Sequence, residues 1–524
     1  MSKRLIKTIF GVILLLTFVL RFHQLADNPR ILNRDEAALA FNAYLINEVG
    51  QDEWQEKYPL VFKSFGDYKL PGYVYLLAIL FRLFEPNDWL VRAPSALAGV
   101  GIVVMMYLIG KELFHSPSKA LTLMLFSALC PVLLFYSRMA WEANLALLLL
   151  LVSLWLLIFS CPVFAGQWKK DILGLVFYLL AILTYNTPLL LSPLIMGVLV
   201  IKRGVKRWRD WLLPLVGLSL IMIIGLFILG KVTVQKSSIT IFSDPTTWQQ
   251  YVQYRESLPE FSKKIFGNRY WYWLSLLLKH FFASFSAKFL VIKGGTHPWH
   301  AIEGSAHLYW TLYLLGLLGL GQSLVNLLRD MIKQRKKILK HQDWLLVSML
   351  FGSLLPAIVT TDAPHATRSL LFLLMFLLMA IKGFELVLAI CKKQKVTWIV
   401  VYLLIGLETS IYVNRYFYQF PYHQQALKPG FDELIIMANQ RIDSSYFEVE
   451  ADGYQYILQA WYQRLSPNIF YQSIKRVGPD PVGIYRVEHL DKFAYVYELE
   501  SNASNAVQVY WSDQKSMWMI KERH

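Results

Sequence analysis

The chain has 524 residues, of which 56% are hydrophobic and 17% are charged, and its formal net charge is +16. This composition is too apolar for a soluble multi-domain protein and predicts a protein that crosses a membrane several times. The positive charge does not predict a nucleic-acid partner, because the lysines and arginines cluster between apolar runs, where they mark topology and contact anionic lipids. The three cysteines lie in or beside apolar runs, which argues against disulfides and thiolate metal sites: Cys130, Cys161 and Cys391.

The first apolar run follows Lys3 and Arg4 and has no small-residue cleavage site after it, so we predict an uncleaved signal anchor. A membrane span needs about 20 apolar residues. Applied along the chain, this criterion predicts about eleven spans, at residues 5–22, 90–112, 119–138, 142–160, 172–186, 187–202, 211–230, 308–328, 344–360, 369–390 and 397–413.

The apolar stretch 70–84 decides the predicted topology. At about 15 residues it is short for a span, and its tyrosines and Arg82 suit a helix lying at the membrane interface. If it does not cross, the basic loops share the cytoplasmic side with the N-terminus, as the positive-inside rule requires. The outer side then holds residues 23–89, the links 138–144 and 185–188, the loop 231–307 with a second interfacial helix near 270–289, residues 361–369, and everything after 414.

The C-terminal segment differs in composition from the rest of the chain. It combines a helical pattern at 431–442 with alternating stretches at 445–450 and 493–498. We predict two domains: residues 1–413 cross the membrane, and residues 414–524 form a small extracytoplasmic α/β domain.

An acidic pair, Asp35 and Glu36, follows the first span on the predicted outer side. One interpretation is a helix start, with Asn33 as the cap and Glu36 completing a capping box. The other is a general base at the membrane surface, since a carboxylate suits removal of a proton from an attacking hydroxyl.

Three other charged residues lie on the same predicted side. Lys69 is either a snorkelling interfacial lysine or a cation aimed at a phosphate. Arg92 lies in the first turn of a helix, where the dipole does not favour a cation, so an anionic partner is expected. Glu142, near Asn144, lies in the first turn of a helix, where the helix dipole stabilises an acid whether or not it has a function.

The segment 361–368 is the most suggestive outer loop. Asp362 is a candidate helix cap, while His365 and Arg368, three residues apart, share a helical face. Because arginine binds phosphate bidentately, Arg368 is a candidate phosphate ligand. Four further residues before the eighth span have metal-ligating side chains but match no tight ligand spacing, so we expect no metal there: His297, His300, Glu303 and His307.

Five blocks occur in order along the chain: Asn33-Arg34-Asp35-Glu36, Asp67-Tyr68-Lys69-Leu70-Pro71, Val91 to Leu97, Ser137 to Asn144, and Asp362 to Arg368. Together they resemble the dolichyl-phosphate-mannose–protein mannosyltransferase family (glycosyltransferase family 39) and the related bacterial aminoarabinose transferases. The resemblance covers residues 1 to about 415. Lys69 matches the lysine of the aminoarabinose transferases' Glu-Lys-Pro-Pro motif, but Tyr68 stands in place of its acid.

The resemblance implies an all-α polytopic membrane protein with the GT-C fold and no required metal, although more distant GT-C oligosaccharyltransferases use a divalent cation. Asp35 maps to the family's candidate base. The predicted site comprises catalytic residues Asp35, Glu36 and Glu142; donor-phosphate ligands Lys69, Arg92, His365 and Arg368; and substrate-binding residues Asp67, Tyr68, Arg138, Asn144 and Asp362.

The predicted function is transfer of a hexose or pentose from a polyprenyl-phosphate-linked donor to a protein, lipid or glycan acceptor on the extracytoplasmic face of the plasma membrane. No nucleotide site is expected, since the chain has no glycine-rich phosphate loop. The alternative is a transporter or flippase for a lipid-linked or anionic solute. Transporters usually place ionisable residues in mid-bilayer and carry inverted repeats, and the sequence shows neither feature.

Overall fold

A computed structural model describes the chain apart from residues 66, 161–167, 204–207, 229, 231–238, 303, 334–341, 421–427, 441–445, 452–453, 479–484, 500–505, 516 and 522–524. The described chain forms two compact units. The first consists of Met1–Arg21, Leu97–Ser137 and Ala143–Asn414, and the second of Phe22–Ala96, Arg138–Glu142 and Arg415–His524.

The helices in the first half of the chain are α1 (Lys3–Phe22), α2 (Arg34–Val49), α3 (Pro71–Leu83), α4 (Asp88–Phe114), α5 (Pro117–Leu129), α6 (Pro131–Ser137), α7 (Glu142–Leu154), α8 (Trp168–Thr184), α9 (Thr187–Arg203) and α10 (Trp208–Ile228). Those in the second half are α11 (Pro245–Ser257), α12 (Glu260–Phe266), α13 (Arg269–Ser284), α14 (Trp310–Ile332), α15 (Gln342–Gly352), α16 (Leu355–Ile358), α17 (Leu370–Ile390), α18 (Gln394–Asn414), α19 (Phe431–Gln440), α20 (Tyr456–Tyr462) and α21 (Pro467–Ser473). Short π-helical turns extend α7 and α18, at Trp155–Phe159 and Arg415–Gln419.

Six helices in the described chain are long and apolar enough to cross a membrane, and a seventh is added if α5 and α6, bent by 57°, form one span. These helices make the chain a multi-pass membrane protein. The predicted total of eleven spans stays a prediction. The segments predicted at 172–186 and 187–202 form helices of 17 residues each, and the one at 344–360 is divided between α15 and α16.

In the first unit, α17 is the central helix, because side chains are buried along most of its length. It packs against α14 with the two backbones in contact. A methyl group on Gly319 would lie 1.9 Å from the carbonyl oxygen of Met379, and one on Gly383 would lie 1.9 Å from that of Leu315. Glycine is therefore required at both crossing positions, as is common where membrane helices approach closely.

In the second unit, the core elements from the N-terminal region are α2 and α3. Gly50 ends α2 in the left-handed conformation, at φ 69°. Helix α3 begins at Pro71 and buries the face that carries Tyr73, Leu77 and Phe81, while Ile79 is exposed. With 13 residues, α3 is too short to span a bilayer, so it forms the short amphipathic helix that the sequence predicts. Its interfacial position stays a prediction, as does that of α13, whose Tyr270, Trp271 and Phe282 are exposed.

The second unit also contains a hairpin and a six-stranded sheet. The hairpin pairs β1 (Phe62–Ser64) with β2 (Asp67–Lys69). The sheet has the order β4-β5-β6-β3-β7-β8, with β3 parallel to both of its neighbours. Its strands are β3 (Tyr446–Glu450), β4 (Lys475–Val477), β5 (Arg486–Leu490), β6 (Phe493–Val496), β7 (Ala506–Ser512) and β8 (Met517–Lys521).

Residues 415–524 pack with residues 22–96 inside this second unit. Phe41 of α2 contacts Phe470 edge-on at 4.8 Å, and Phe81 of α3 stacks on Trp461 at 5.9 Å. Helix α19 and strands β3 and β6 lie where the sequence pattern predicts them. The division into a 1–413 domain and a separate 414–524 domain stays a prediction.

Candidate functional site

The acidic pair lies at the start of α2, and the predicted capping box is present. Asn33 Oδ1 accepts from the backbone N–H of Asp35 at 2.9 Å, and Glu36 Oε2 accepts from the backbone N–H of Asn33 at 2.9 Å. Successive helical residues point about 100° apart. The two neighbouring carboxylates therefore meet different surroundings.

Glu36 is fully buried and is enclosed by donors. Arg92 Nε donates to Oε1 at 3.0 Å, Arg92 Nη2 donates to Oε2 at 3.2 Å, and the backbone N–H of Ala140 donates to Oε1 at 2.6 Å. The guanidinium of Arg92 also donates at 2.7–3.1 Å to four carbonyl oxygens, those of Leu25, Ala26, Pro29 and Ile31.

All three guanidinium nitrogens of Arg92 are thus engaged by the protein, and the side chain is fully buried. The geometry favours a structural role for Arg92 and Glu36 over the phosphate-binding and catalytic roles predicted for them. A charged pair with every donor and acceptor satisfied is how a protein retains ions in its interior. Here the pair fastens the segment 25–36 to the start of α4.

Asp35 has a different environment. Lys69, at the end of β2, places its Nζ 2.7 Å from Asp35 Oδ1 and 3.8 Å from Glu142 Oε1. The side chain of Asp35 is 21% exposed, whereas those of Lys69 and Glu142 are each 9% exposed. The structure therefore brings together three of the predicted residues, with one ammonium between two carboxylates, and leaves Asp35 the most accessible of them.

The remaining predicted residues of the early blocks have varied surroundings. Arg138 is buried, donates to the carbonyl oxygens of Gln24 and Asn28 at 3.1 Å, and lies over the rings of Tyr416 and Phe417. Asn144 is buried in the first unit, and Tyr68 is half-buried in β2. Asp67 belongs to β2, but its side chain lies outside the described part of the structure.

A second cluster, in the first unit, contains the other predicted residues. Arg368 Nη1 donates to Asp362 Oδ1 at 2.5 Å and to Thr360 Oγ1 at 2.9 Å. Asp362 Oδ2 lies 3.4 Å from His297 Nε2 and 3.6 Å from His365 Nε2. We call His297, Asp362 and His365 the histidine–aspartate cluster. His297 had only a weak signal in the sequence, because 65 residues separate it from Asp362.

Electrostatics fix the charges in this cluster. Burial alone would raise the pKa of Asp362, but the hydrogen bond with His297 and the charge of Arg368 outweigh burial and lower that pKa well below its usual range. Burial, reinforced by the charge of Arg368, lowers the pKa of His365 to about 2. At neutral pH, Asp362 is therefore an anion and His365 a neutral imidazole.

Sequence reasoning missed two buried acids of the second unit. Glu53 is fully buried; its Oε2 accepts from Tyr456 at 2.6 Å, and Asn42 donates to its Oε1 at 3.3 Å. Asp88 accepts from Trp461 at 2.8 Å and from Tyr462 at 3.0 Å. Tyr456, Trp461 and Tyr462 lie more than 370 residues away from the acids they contact, so no local sequence pattern marks these two acids. They tie the first polar loop to the C-terminal segment.

Comparison with known proteins confirms the family resemblance. Residues 69–229 match the sequence model of the family described as "Dolichyl-phosphate-mannose-protein mannosyltransferase". No curated protein matches the chain by sequence.

Among solved structures, the chain is similar to the oligosaccharyltransferase AglB of Archaeoglobus fulgidus in complex with an inhibitory peptide and a dolichol-phosphate, at 13% identity, a TM-score of 0.54 and 88% coverage of this chain. The same enzyme tethered to an acceptor peptide gives 12% identity, a TM-score of 0.53 and 88% coverage. The chain spans 64% and 63% of these two structures. ArnT of Cupriavidus metallidurans bound to undecaprenyl phosphate gives 12% identity and a TM-score of 0.48, covering 88% of this chain and 85% of ArnT.

The fold shared with AglB and the match to the mannosyltransferase family over residues 69–229 place the chain in the fold class of the GT-C membrane glycosyltransferases. Within that class, the resemblance to the dolichyl-phosphate-mannose–protein mannosyltransferase family, predicted from five sequence blocks, is confirmed over residues 69–229.

Proposed function

We propose that this protein transfers one sugar residue from a polyprenyl-phosphate carrier to an acceptor hydroxyl on the outer face of the membrane, with Asp35 as general base. Two observations support this proposal. The matched family is described by a dolichyl-phosphate-linked sugar, and AglB, which shares the fold, was solved with dolichol-phosphate.

The reaction needs a base on the acceptor and a leaving group on the donor. Asp35 removes the proton of the acceptor hydroxyl while that oxygen forms a bond to the anomeric carbon. The bond from the anomeric carbon to the phosphate oxygen breaks, and its electron pair leaves with the lipid phosphate. Attack from the face opposite to the leaving group inverts the anomeric configuration. A positioned carboxylate base typically contributes about 10²–10⁴-fold to such a step.

The position of Lys69 between Asp35 and Glu142 is the observation that carries the assignment. Of the two neighbouring acids, Glu36 has its carboxylate enclosed by Arg92 and backbone donors, whereas Asp35 has a partly exposed carboxylate. An acceptor hydroxyl can therefore reach Asp35. Lys69 is a positioning residue, because its Nζ lies 2.7 Å from Oδ1 of Asp35 and holds that carboxylate.

The test is transfer by purified Asp35→Asn protein, with undecaprenyl- and dolichyl-phosphate-linked sugars as donors. We expect a loss of about 10²–10⁴-fold in transfer rate at an unchanged apparent Tm. The matched control is Asp27→Asn, the same substitution at an exposed aspartate shortly before α2, which should transfer at the wild-type rate. Wild-type transfer by Asp35→Asn, or equal losses in both variants, would remove Asp35 as the base.

Lys69→Met provides an independent readout of the positioning role. Loss of the ammonium should lower kcat at an unchanged donor KM, because the contact that holds the Asp35 carboxylate in place would be gone. An effect confined to the donor KM would instead assign Lys69 to the donor phosphate, as the sequence predicts. The donor-phosphate roles of His365 and Arg368 and the absence of a required metal stay predictions.

The proposed topology places the N-terminus in the cytoplasm and residues 415–524 outside. Cys391 gives a native probe, since it is exposed and lies between α17 and α18, on the predicted cytoplasmic side. A membrane-impermeant maleimide should label it only after cells are permeabilised, with Cys391→Ser as the control. Labelling of Cys391 in intact cells would reverse the proposed orientation.

A further inference from the structure

The histidine–aspartate cluster unites side chains from two loops of the first unit. His297 comes from the loop before α14, and Asp362 and His365 come from the loop between α16 and α17. One ligand atom of each residue lies within 4.8 Å of those of the other two. The proposed transfer reaction assigns no catalytic step to this cluster.

Two of the three distances between ligand atoms are close to those around a bound metal ion. Two ligand atoms bound to one Zn²⁺ at about 2.0–2.1 Å with tetrahedral angles are about 3.3–3.4 Å apart. Asp362 Oδ2 lies 3.4 Å from His297 Nε2 and 3.6 Å from His365 Nε2. Both ring nitrogens are thus at a ligand-to-ligand distance from the same carboxylate oxygen.

The side chain of His365 is buried, and one of its ring nitrogens has no partner in the described chain. The residue is 7% exposed, and its Nδ1 is buried without a hydrogen-bond partner in the described chain. Its Nε2 has the carboxylate of Asp362 at 3.6 Å, beyond hydrogen-bond length. Buried polar groups almost always have a partner, so this imidazole has bonding capacity that the described chain does not use.

The surrounding chain holds the cluster in place. Arg368 binds Asp362 Oδ1, which leaves Oδ2 directed toward the two histidines. The two loops are in backbone contact at Gly295, where a methyl group would lie 3.0 Å from the carbonyl oxygen of Pro364, and Thr296 Oγ1 donates to the carbonyl oxygen of Asp362 at 3.4 Å. Such outer contacts orient ligands in known metal sites.

We propose that His297, Asp362 and His365 bind one divalent first-row transition metal ion, with Zn²⁺ as the principal candidate. Two imidazoles and one carboxylate suit Zn²⁺ and its neighbours in the series, whereas Mg²⁺ and Ca²⁺ prefer oxygen ligands throughout. Three protein ligands leave a fourth position for water. This proposal does not rest on the assignment of Asp35 as the base.

Metal content of the purified full-length protein is the direct test. After chelation, dialysis against Zn²⁺ and removal of free metal, elemental analysis should find about one Zn²⁺ per chain, and Co²⁺ substitution should give the visible bands of a tetrahedral site. Added Zn²⁺ should also raise the apparent Tm, as any ligand specific for the folded state does.

Three variants make the test specific to the cluster. His297→Ala, His365→Ala and the milder Asp362→Asn should each lose the bound metal and the Zn²⁺-dependent rise in Tm, while metal-free samples remain monodisperse. His489→Ala, in β5, should keep both. The proposal is overturned if folded wild-type protein retains no stoichiometric metal, if the cluster variants bind as wild type does, or if His489→Ala loses the metal equally.

Discussion

Replacing Arg92 by methionine tests whether this residue holds the protein together or binds substrate. In the structure, its guanidinium gives two hydrogen bonds to Glu36 and further bonds to four backbone carbonyls, and both side chains are fully buried. Methionine fills similar space but supplies no donor. The variant therefore leaves an anion and several carbonyl oxygens buried without their main partner.

The expected loss is large. Breaking a buried ion pair by removing one partner costs about 3–5 kcal/mol. The backbone N–H groups of Asn33 and Ala140 still bind Glu36, which favours the lower end of that range. For a domain of 150–250 residues this corresponds to a fall of roughly 6–20 °C in apparent Tm.

The assay is thermal unfolding in detergent, followed by intrinsic fluorescence, for wild type, Arg92→Met, Glu36→Gln and the double variant. Because the two residues form one network, the double variant should lose less than the sum of the single variants, by about 0.5–3 kcal/mol. The control is Arg82→Met, at an exposed arginine of α3. An unchanged Tm in Arg92→Met, with a higher KM for the lipid-linked donor, would refute the structural role and restore the predicted phosphate contact.

Three further predictions follow from buried groups. Burial raises the pKa of Asp52 to about 6 from an ordinary 3.8, so the folded state loses stability as the pH rises through that interval. Thermal unfolding should therefore show that Asp52→Asn stabilises the protein by about 1–2 kcal/mol at pH 7, after allowance for solvent screening, and not at pH 4. Tyr456→Phe should cost about 1.5–3 kcal/mol, because Glu53 loses a charge-assisted hydrogen bond, and should speed proteolytic release of the C-terminal segment. Gly319→Ala should destabilise the protein by about 1–3 kcal/mol or more and reduce its monodispersity on size exclusion. Gly321→Ala should do neither, because the space around Gly321 is open. Equal behaviour of the two variants would contradict the close helix crossing.

Local sequence determined where several helices begin and that the chain crosses a membrane. The Asn33 cap and the start of α2, the proline at the start of α3, and the short amphipathic character of α3 depend on neighbouring residues, so spacing alone predicts them. The apolar runs likewise predict a multi-pass membrane protein, because backbone groups in lipid must be satisfied within each helix.

The tertiary structure decided which charged groups meet. The sequence predicted catalytic roles for both Asp35 and Glu36, but folding encloses Glu36 with Arg92 and leaves Asp35 partly exposed beside Lys69. It also joins His297 to Asp362 and Glu53 to Tyr456 across long separations. The physical reason is that the energy of a charge depends on burial and on partners within a few ångströms. Those partners come from distant parts of the chain, and only the fold brings them together.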